Sequence, residues 1–143
     1  MQLSTKARYA VRAMVELTLK DNKEPVKLKD IADSQDISLK YLEQVMFPLR
    51  VRGYVKTLKG SQGGYLMSKP PEQITILEIV ECVEGSMSPV ECADNPDICK
   101  RKKICAAREV WVGLKDAIST ELSKITLADL AKKQSLIYKK EQK

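Results

Sequence analysis

The sequence predicts a mainly α-helical chain with one small β-hairpin wing, built as a winged helix-turn-helix followed by a long C-terminal dimerisation helix. Three observations support this fold class. Apolar residues recur at helical spacing over much of the chain. Two helical patterns within 26–53 are separated by a tight turn. Two β-prone runs then enclose the glycine-rich stretch "KGSQGG". With 143 residues, the chain suffices for one domain with a modest core.

The first 53 residues contain the predicted helix-turn-helix. A first amphipathic helix covers 3–20 and ends before the breaking sequence "DNKEP" at 21–25. A short helix over about 28–34 and a tight turn follow. A further helix runs from 38 to about 53, and Pro48 should kink its last turn because proline removes a backbone hydrogen bond.

That further helix sorts into two faces when its residues are placed at helical spacing. One face is apolar and consists of Leu39, Leu42, Val45, Met46 and Leu49. Lys40, Glu43, Gln44 and Phe47 lie roughly opposite, with Tyr41 on the border. Polar side chains of these types can hydrogen-bond to base edges in a major groove, so this helix is the candidate recognition helix.

The hairpin is predicted from runs at 54–58 and 65–67. A hairpin directly after a helix-turn-helix is a wing, and Lys59 gives it positive charge for a phosphate or minor-groove contact. A glycine loop that cradles an anion is the competing interpretation. The Walker A pattern fails, because no Gly-Lys-Ser/Thr sequence closes the loop ahead of a helix.

The second half of the chain is predicted to contain three further helices. Thr75 and Glu78 form a capping box that opens a helix to about residue 84. A longer helix over about 106–124 has a broad apolar stripe that includes Trp111, and the pattern leaves open whether this stripe faces its own domain or a second subunit. Thr126 offers a capped start to a short final helix.

We therefore predict four regions. Residues 1–70 form the winged helix-turn-helix, 71–105 a linking helix and a cysteine-containing loop, 106–130 the dimerisation helices, and 131–143 a disordered tail.

Charge and motif content narrow the class of function. The net charge of +6 arises entirely in residues 1–70, which have 13 basic and 7 acidic side chains, and this favours a polyanion partner. No apolar run is long enough to span a membrane and no signal-peptide core is visible, so a cytoplasmic location without membrane contact is expected. Without histidine, a nucleophile motif or a cofactor fingerprint, neither an enzyme nor a small-molecule substrate is indicated.

Three of the four cysteines, Cys92, Cys99 and Cys105, lie within "CADNPDICKRKKIC". In a reducing compartment such a cluster is more often metal-binding or redox-active than a set of structural disulfides. The gaps are wide for structural zinc, which usually takes pairs of closely spaced cysteines. An iron–sulfur cluster suits soft thiolate ligands, and a metal-free thiol switch remains open because the basic flank would favour thiolates.

Several stretches together resemble the Rrf family of bacterial winged-helix transcription regulators, which includes IscR-, NsrR- and CymR-type proteins. They are "LSTKARYAVRAM", "LKDIAD…ISLKYLEQ", "LRVRGYV…KGSQGGYLM", "ITILEIVECVEG", "VWVGLKDAI" and "ITLADL". The resemblance covers about residues 1–130 and implies homodimers that bind double-stranded operator DNA. It places Ser38, Lys40, Tyr41 and Glu43 at the DNA, and the exposed face and wing add Gln44 and Lys59.

The resemblance is greatest to the IscR type, which implies an iron–sulfur cluster on Cys92, Cys99 and Cys105, with 2Fe–2S favoured over 4Fe–4S. The expected targets are genes of iron–sulfur cluster biogenesis or related iron and redox genes. The alternative is a metal-free thiol-redox or partner-dependent, CymR-like regulator. The fourth ligand is open: Arg108 stands where IscR-type proteins have histidine, and Arg8 where NsrR-type proteins have aspartate. The remaining candidates are Cys82, Glu91, Asp94, Asp97, Glu43 and solvent.

Overall fold

The computed structural model describes residues 2–20 and 24–143 and confirms a mainly helical fold with one antiparallel hairpin. Residues 21–23, within the predicted break after the first helix, lie outside the described part, as does Met1. The α-helices are α1 (Thr5–Lys20), α2 (Leu28–Gln35), α3 (Leu39–Val51), α4 (Ile76–Glu84), α5 (Glu91–Asp94), α6 (Ala106–Ser123) and α7 (Leu127–Glu141). The strands are β1 (Val55–Leu58) and β2 (Gly64–Met67), with 3₁₀ turns at Pro71–Gln73 and Pro96–Ile98. Across the described ranges, no helix has the length and apolar character needed to cross a bilayer.

The core lies where α1 packs against α2, α3, α4 and α7. Its largest fully buried side chains include Met14 of α1 and Ile79 of α4. On α3 the predicted apolar face is buried from Leu42 onward. Leu39 was expected on that face but is 41% exposed, because it is the first residue of the helix and precedes the turn that the core covers.

The hairpin is fixed to the body of the fold by a third short stretch of chain. Val55 pairs with Met67 and Leu58 with Gly64 in the antiparallel register. Val26, just ahead of α2, exchanges two backbone hydrogen bonds with Tyr65 at 2.7 and 2.8 Å. A Cβ atom on Gly64 would lie 2.5 Å from the carbonyl oxygen of Val26, so glycine is required for this close approach.

Helices α4 and α7 begin side by side. Both start with a complete capping box, Thr75 with Glu78 and Thr126 with Asp129. Thr75 and Thr126 form an isolated antiparallel bridge, in which the amide of Ile76 donates to Ile125 and the amide of Leu127 donates to Ile74 at 2.9 and 2.8 Å. The chain between them therefore starts and ends at the same place in the core.

The predicted disordered tail, 131–143, is instead helical through Glu141. The capping box starts α7, and buried Leu127 and Ala131 hold its first turns against α1. Near its other end Tyr138 hydrogen-bonds to Glu16 of α1. These long-range contacts explain why the helix continues past the point that its own lysine-rich sequence suggests.

The predicted 106–130 unit is also divided. Helix α6 matches its expected span but has no buried residue, whereas α7 joins the core through Leu127. On the outer stripe of α6, Val110 is 61% exposed, and Trp111 and Leu114 are each 38% exposed. Only α6 of the predicted dimerisation unit therefore presents an uncovered apolar face, and α7 belongs with the winged helix-turn-helix.

Candidate DNA-binding surface and cysteine segment

The start of α3 is set by a tight turn and a cap. Asp36 takes a left-handed conformation with φ of 53°, and the amide of Ile37 donates to the carbonyl of Ala32 at 2.9 Å. Two residues later the Ser38 hydroxyl accepts from the amide of Tyr41 at 3.2 Å. This satisfies an otherwise unpaired donor at the helix start. The cap therefore uses the side chain of Ser38, one of the residues predicted at the DNA.

The outward face of α3 carries the predicted polar side chains. Lys40, Glu43 and Gln44 are exposed, in agreement with their expected positions. Tyr41 is half-buried and stacks edge-on against Tyr9 of α1, with ring centroids 5.7 Å apart. Part of its ring therefore fixes α3 to α1.

The wing lies beside this face and encloses a groove with it. The groove, of about 520 Å³, is lined on one side by Lys27, Leu28 and Glu43 and on the other by wing residues. Lys59 is exposed at the hairpin end. Burial raises the pKa of Tyr65, the Glu43 carboxylate raises it further, and Arg50 opposes both effects. Helix α3 and the wing thus line one groove, whose walls contain the apolar Leu28 and Leu58 as well as the charged Lys27 and Glu43.

Cys82 does not lie with the other three cysteines. Its Sγ donates to the carbonyl oxygen of Pro48 at 3.3 Å and so connects α4 to α3. Pro48 lies inside α3, which continues for three more residues. Burial raises the pKa of the Cys82 thiol above its ordinary value, while Arg52 and Lys6 oppose the rise. This placement fits a packed thiol better than a metal ligand.

The three remaining cysteines are spread along a folded segment. Cys92 lies in α5, Cys99 follows the Pro96–Ile98 turn, and Cys105 immediately precedes α6. All three are free and half-buried. Among the residues that the structure describes, no three histidine, cysteine, aspartate or glutamate side chains converge as a metal site.

Two basic side chains of α6 hold the beginning of this segment. Arg108 Nε donates to the carbonyl oxygen of Cys92 at 3.1 Å. Lys115 Nζ lies 2.5 Å from Asp94 Oδ1, and hydrogen bonds from Lys115 and Ser86 lower the pKa of Asp94. Arg108, at the position where the resemblance to IscR-type proteins implied a histidine ligand, therefore holds the backbone of the segment.

The donor chemistry of the segment suits an iron–sulfur cluster, but its arrangement does not complete one. Three thiols are the soft donors that iron–sulfur clusters prefer. Of the candidate fourth ligands, Asp94 pairs with Lys115 and Asp97 pairs with Lys102. Glu91 is exposed, and Glu43 lies on α3. Cluster binding would require Cys92, Cys99 and Cys105 to move together.

A polar cluster between α1, α2 and α7 was not anticipated from the sequence. Glu16 is 6% exposed and is the buried charged residue of the described core. Its Oε2 accepts from Gln35 at 3.1 Å and from Tyr138 at 3.2 Å, and Lys20 lies 3.5 Å from its Oε1. The capping box at Thr126 was the only local signal, because the partners of Tyr138 are distant in sequence.

Comparisons with known proteins agree on one family. A sequence profile described as "Rrf2: Iron-dependent Transcriptional regulator" matches residues 3–133. The HTH-type transcriptional regulator CymR of Bacillus subtilis (strain 168) is 40% identical over 131 residues, 92% of this chain and 90% of that protein.

Two solved structures have similar folds. The structure of CymR (YrzC), described as the global cysteine regulator of B. subtilis, has a TM-score of 0.77 at 39% identity, covering 92% of this chain and 97% of that one. The structure of T. potens IscR has a TM-score of 0.76 at 35% identity, covering 94% of this chain and 88% of that one.

Proposed function

The chain belongs to the Rrf2 family of transcriptional regulators, and from that membership we propose that it binds operator DNA as a homodimer and senses through its cysteine segment. It is a DNA-binding regulator and not an enzyme, in keeping with relatives that are named as regulators. Because its partner is chromosomal DNA, we place it in the cytoplasm.

The DNA proposal rests on the exposed face of α3, which lies beside a wing that is hydrogen-bonded to the rest of the fold through Val26 and Tyr65. Glu43 and Gln44 are suited to cytosine and adenine edges, and Lys40 to guanine. We assign Ser38 and Tyr41 to positioning of the helix start as well as to DNA contact, and Lys59 to phosphate.

The DNA proposal can be tested by changing single contacts. Duplexes enriched by the wild-type protein from a randomised pool would be compared with those enriched by Lys40→Gln, Glu43→Gln and Lys59→Gln. Changes in α3 should alter the enriched sequence, whereas Lys59→Gln should weaken binding with less effect on sequence. If all three variants enriched the same sequences as the wild type and bound them with the same affinity, this recognition surface would be rejected.

For sensing, we propose that Cys92, Cys99 and Cys105 hold an iron–sulfur cluster, 2Fe–2S rather than 4Fe–4S, and that its targets are iron–sulfur biogenesis or related iron and redox genes. The support is three free thiols on one segment and a family profile described as iron-dependent. Such a cluster would supply a redox- or iron-sensitive centre. The segment leads directly into α6, so its conformation bears on the relative placement of two subunits.

The second candidate is a metal-free, CymR-like regulator that acts through its thiols or a protein partner. It is favoured by Arg108 and Lys115, whose contacts with Cys92 and Asp94 attach the segment to α6 and use Asp94, a candidate ligand, and by the identity to CymR. In a thiol switch, two cysteines would form a disulfide and pass two protons and two electrons to an oxidant such as a peroxide.

One preparation separates the two candidates. The protein would be purified without oxygen, its visible spectrum recorded, and its iron and acid-labile sulfide measured, with a Cys92→Ser, Cys99→Ser and Cys105→Ser variant as control. Iron and sulfide in the wild type that the triple variant lacks would support the cluster. A colourless, iron-free protein that resists reconstitution would favour the thiol or partner mechanism.

A further inference from the structure

The C-terminal helix carries a share of the protein's positive charge that lies outside the predicted DNA-binding half. Residues 127–143 contain two carboxylates and five lysines, all of them exposed: Lys132, Lys133, Lys139, Lys140 and Lys143. The preceding 56 residues, 71–126, have seven basic and ten acidic side chains. The basic end of the chain is thus separated in sequence, by an acidic region, from the basic winged helix-turn-helix.

The fold brings these two basic regions together. The Tyr138 hydroxyl donates to Glu16 Oε2 at 3.2 Å and accepts from Gln35 Nε2 at 3.4 Å, while Gln35 also donates to Glu16. Gln35 is the last residue of α2. The final turn of α7 therefore rests on the end of the first helix of the helix-turn-helix, and not on the cysteine segment.

This position is close to where DNA would lie. Gln35 precedes the cap residue Ser38 by three residues, a span of at most about 11 Å. The start of a recognition helix contacts base edges in a major groove about 12 Å wide. The exposed end of α7, which contacts Gln35 through Tyr138, therefore lies near the start of α3.

We propose that the end of α7, through Lys139 and Lys140, contacts phosphates that flank the bases read by α3 and so lengthens the DNA footprint of each subunit. The proposal rests on DNA binding through α3. Charge complementarity identifies the partner as duplex DNA, and lysine at a phosphate adds affinity without sequence preference.

The test measures affinity at several salt concentrations. Wild type, K139Q/K140Q, K139R/K140R and the control K103Q/K124Q, two exposed lysines outside α7, would each be titrated with a duplex enriched by the wild-type protein and with a scrambled duplex. For K139Q/K140Q, the dependence of log affinity on log salt should become shallower by about one for each lysine lost. The weakening should be equal on both duplexes.

Three outcomes separate this proposal from the function on which it rests. Arginine at both positions and the control pair should keep the wild-type salt dependence, and trimming the flanks of the duplex should abolish the difference between wild type and K139Q/K140Q. Wild-type affinity and slope in K139Q/K140Q would overturn the α7 contact and leave α3 binding intact. If the wild-type protein bound the enriched and the scrambled duplex with equal affinity, both the α7 contact and sequence recognition by α3 would be overturned.

Discussion

At the scale of single residues, charged and polar groups on α1, α4 and α6 act on neighbouring segments instead of acting as ligands. Arg108 donates to the backbone of Cys92, and Glu16 joins α1 to Gln35 and Tyr138. Cys82 donates to the carbonyl of Pro48 in α3. Each of these contacts joins two segments of the fold, so a substitution at Arg108, Glu16 or Cys82 should first shift the position of the joined segment.

Cys82 should react slowly with alkylating reagents in the folded protein. Its pKa is raised above the ordinary 9.0 by burial, and the thiolate is the reactive form. At pH 8, iodoacetamide should therefore label Cys82 more slowly in native than in denatured protein, and raising the pH should narrow the difference. Peptide mass spectrometry measures both rates, and equal rates at pH 8 would contradict the buried contact with Pro48.

At the scale of elements, the paired starts of α4 and α7 organise the fold. Two capping boxes satisfy the first amides of both helices, and the bridge between Thr75 and Thr126 places them side by side. Helix α7 then runs along α1 to the end of α2. The stability of the DNA-binding unit therefore depends on an element at the far end of the sequence.

Thr75→Ala and Thr126→Ala should each lower the free energy of unfolding by about 1 kcal/mol, because each removes an N-cap. The double variant should lose less than the sum of the single effects, since residues in contact couple. Urea denaturation measures all three, with exposed Thr120→Ala on α6 as the control. Strictly additive losses would mean that the two caps act independently.

Removal of residues 132–143 should destabilise the protein by about 1–2 kcal/mol, since buried Glu16 would lose a hydrogen bond. Tyr138→Phe, which removes only the hydroxyl, should reproduce part of this loss. Thermal and urea denaturation would measure it. A truncated protein as stable as the full chain would restore the interpretation of a disordered tail.

At the scale of the whole molecule, the proposed DNA-binding surface and the exposed apolar part of α6 lie on different elements of the fold. No residue of α6 is fully buried, and Leu122 near its end packs against the edge of the core, so the uncovered part of the stripe is Val110, Trp111 and Leu114. Beside it lies a mainly apolar cavity of about 480 Å³, lined by Leu3, Met87, Ile118 and Leu122 among others. To bind two half-sites one DNA turn apart, a two-fold dimer through this region would have to hold its two copies of α3 about 34 Å apart.

Substitution of the α6 stripe should therefore separate the subunits without unfolding them. Trp111→Glu with Leu114→Glu places charges in the proposed interface, and both side chains are exposed in the single chain. Light scattering should report a monomer, and DNA affinity should fall. Asp116→Lys, on the opposite side of α6 by helical spacing, serves as the matched control. A dimer that survives both glutamates would place the interface elsewhere.

Local patterns predicted the helices, the wing and the outward face of α3, because helical periodicity, caps and glycines act over a few residues. The capping box at Thr75 and the exposure of Lys40 and Glu43 are of this kind. The contact of Tyr138 with Glu16 joins residues 122 positions apart, and no local pattern encodes it. The role of Arg108 was equally hidden, since its partner is a backbone carbonyl.

The bridge between Thr75 and Thr126 has a consequence for how this protein is built. Helix α4 starts at this bridge and ends at Glu84, and the chain comes back to the bridge at Ile125, so residues 85–124, with the cysteine segment and α6, connect two helices of one body. Residues 85–124 should therefore be replaceable as a unit. A flexible glycine-rich linker that runs back along α4, about 14 Å, should leave a monomeric unit that includes α7 and the winged helix-turn-helix and lacks the cysteine segment.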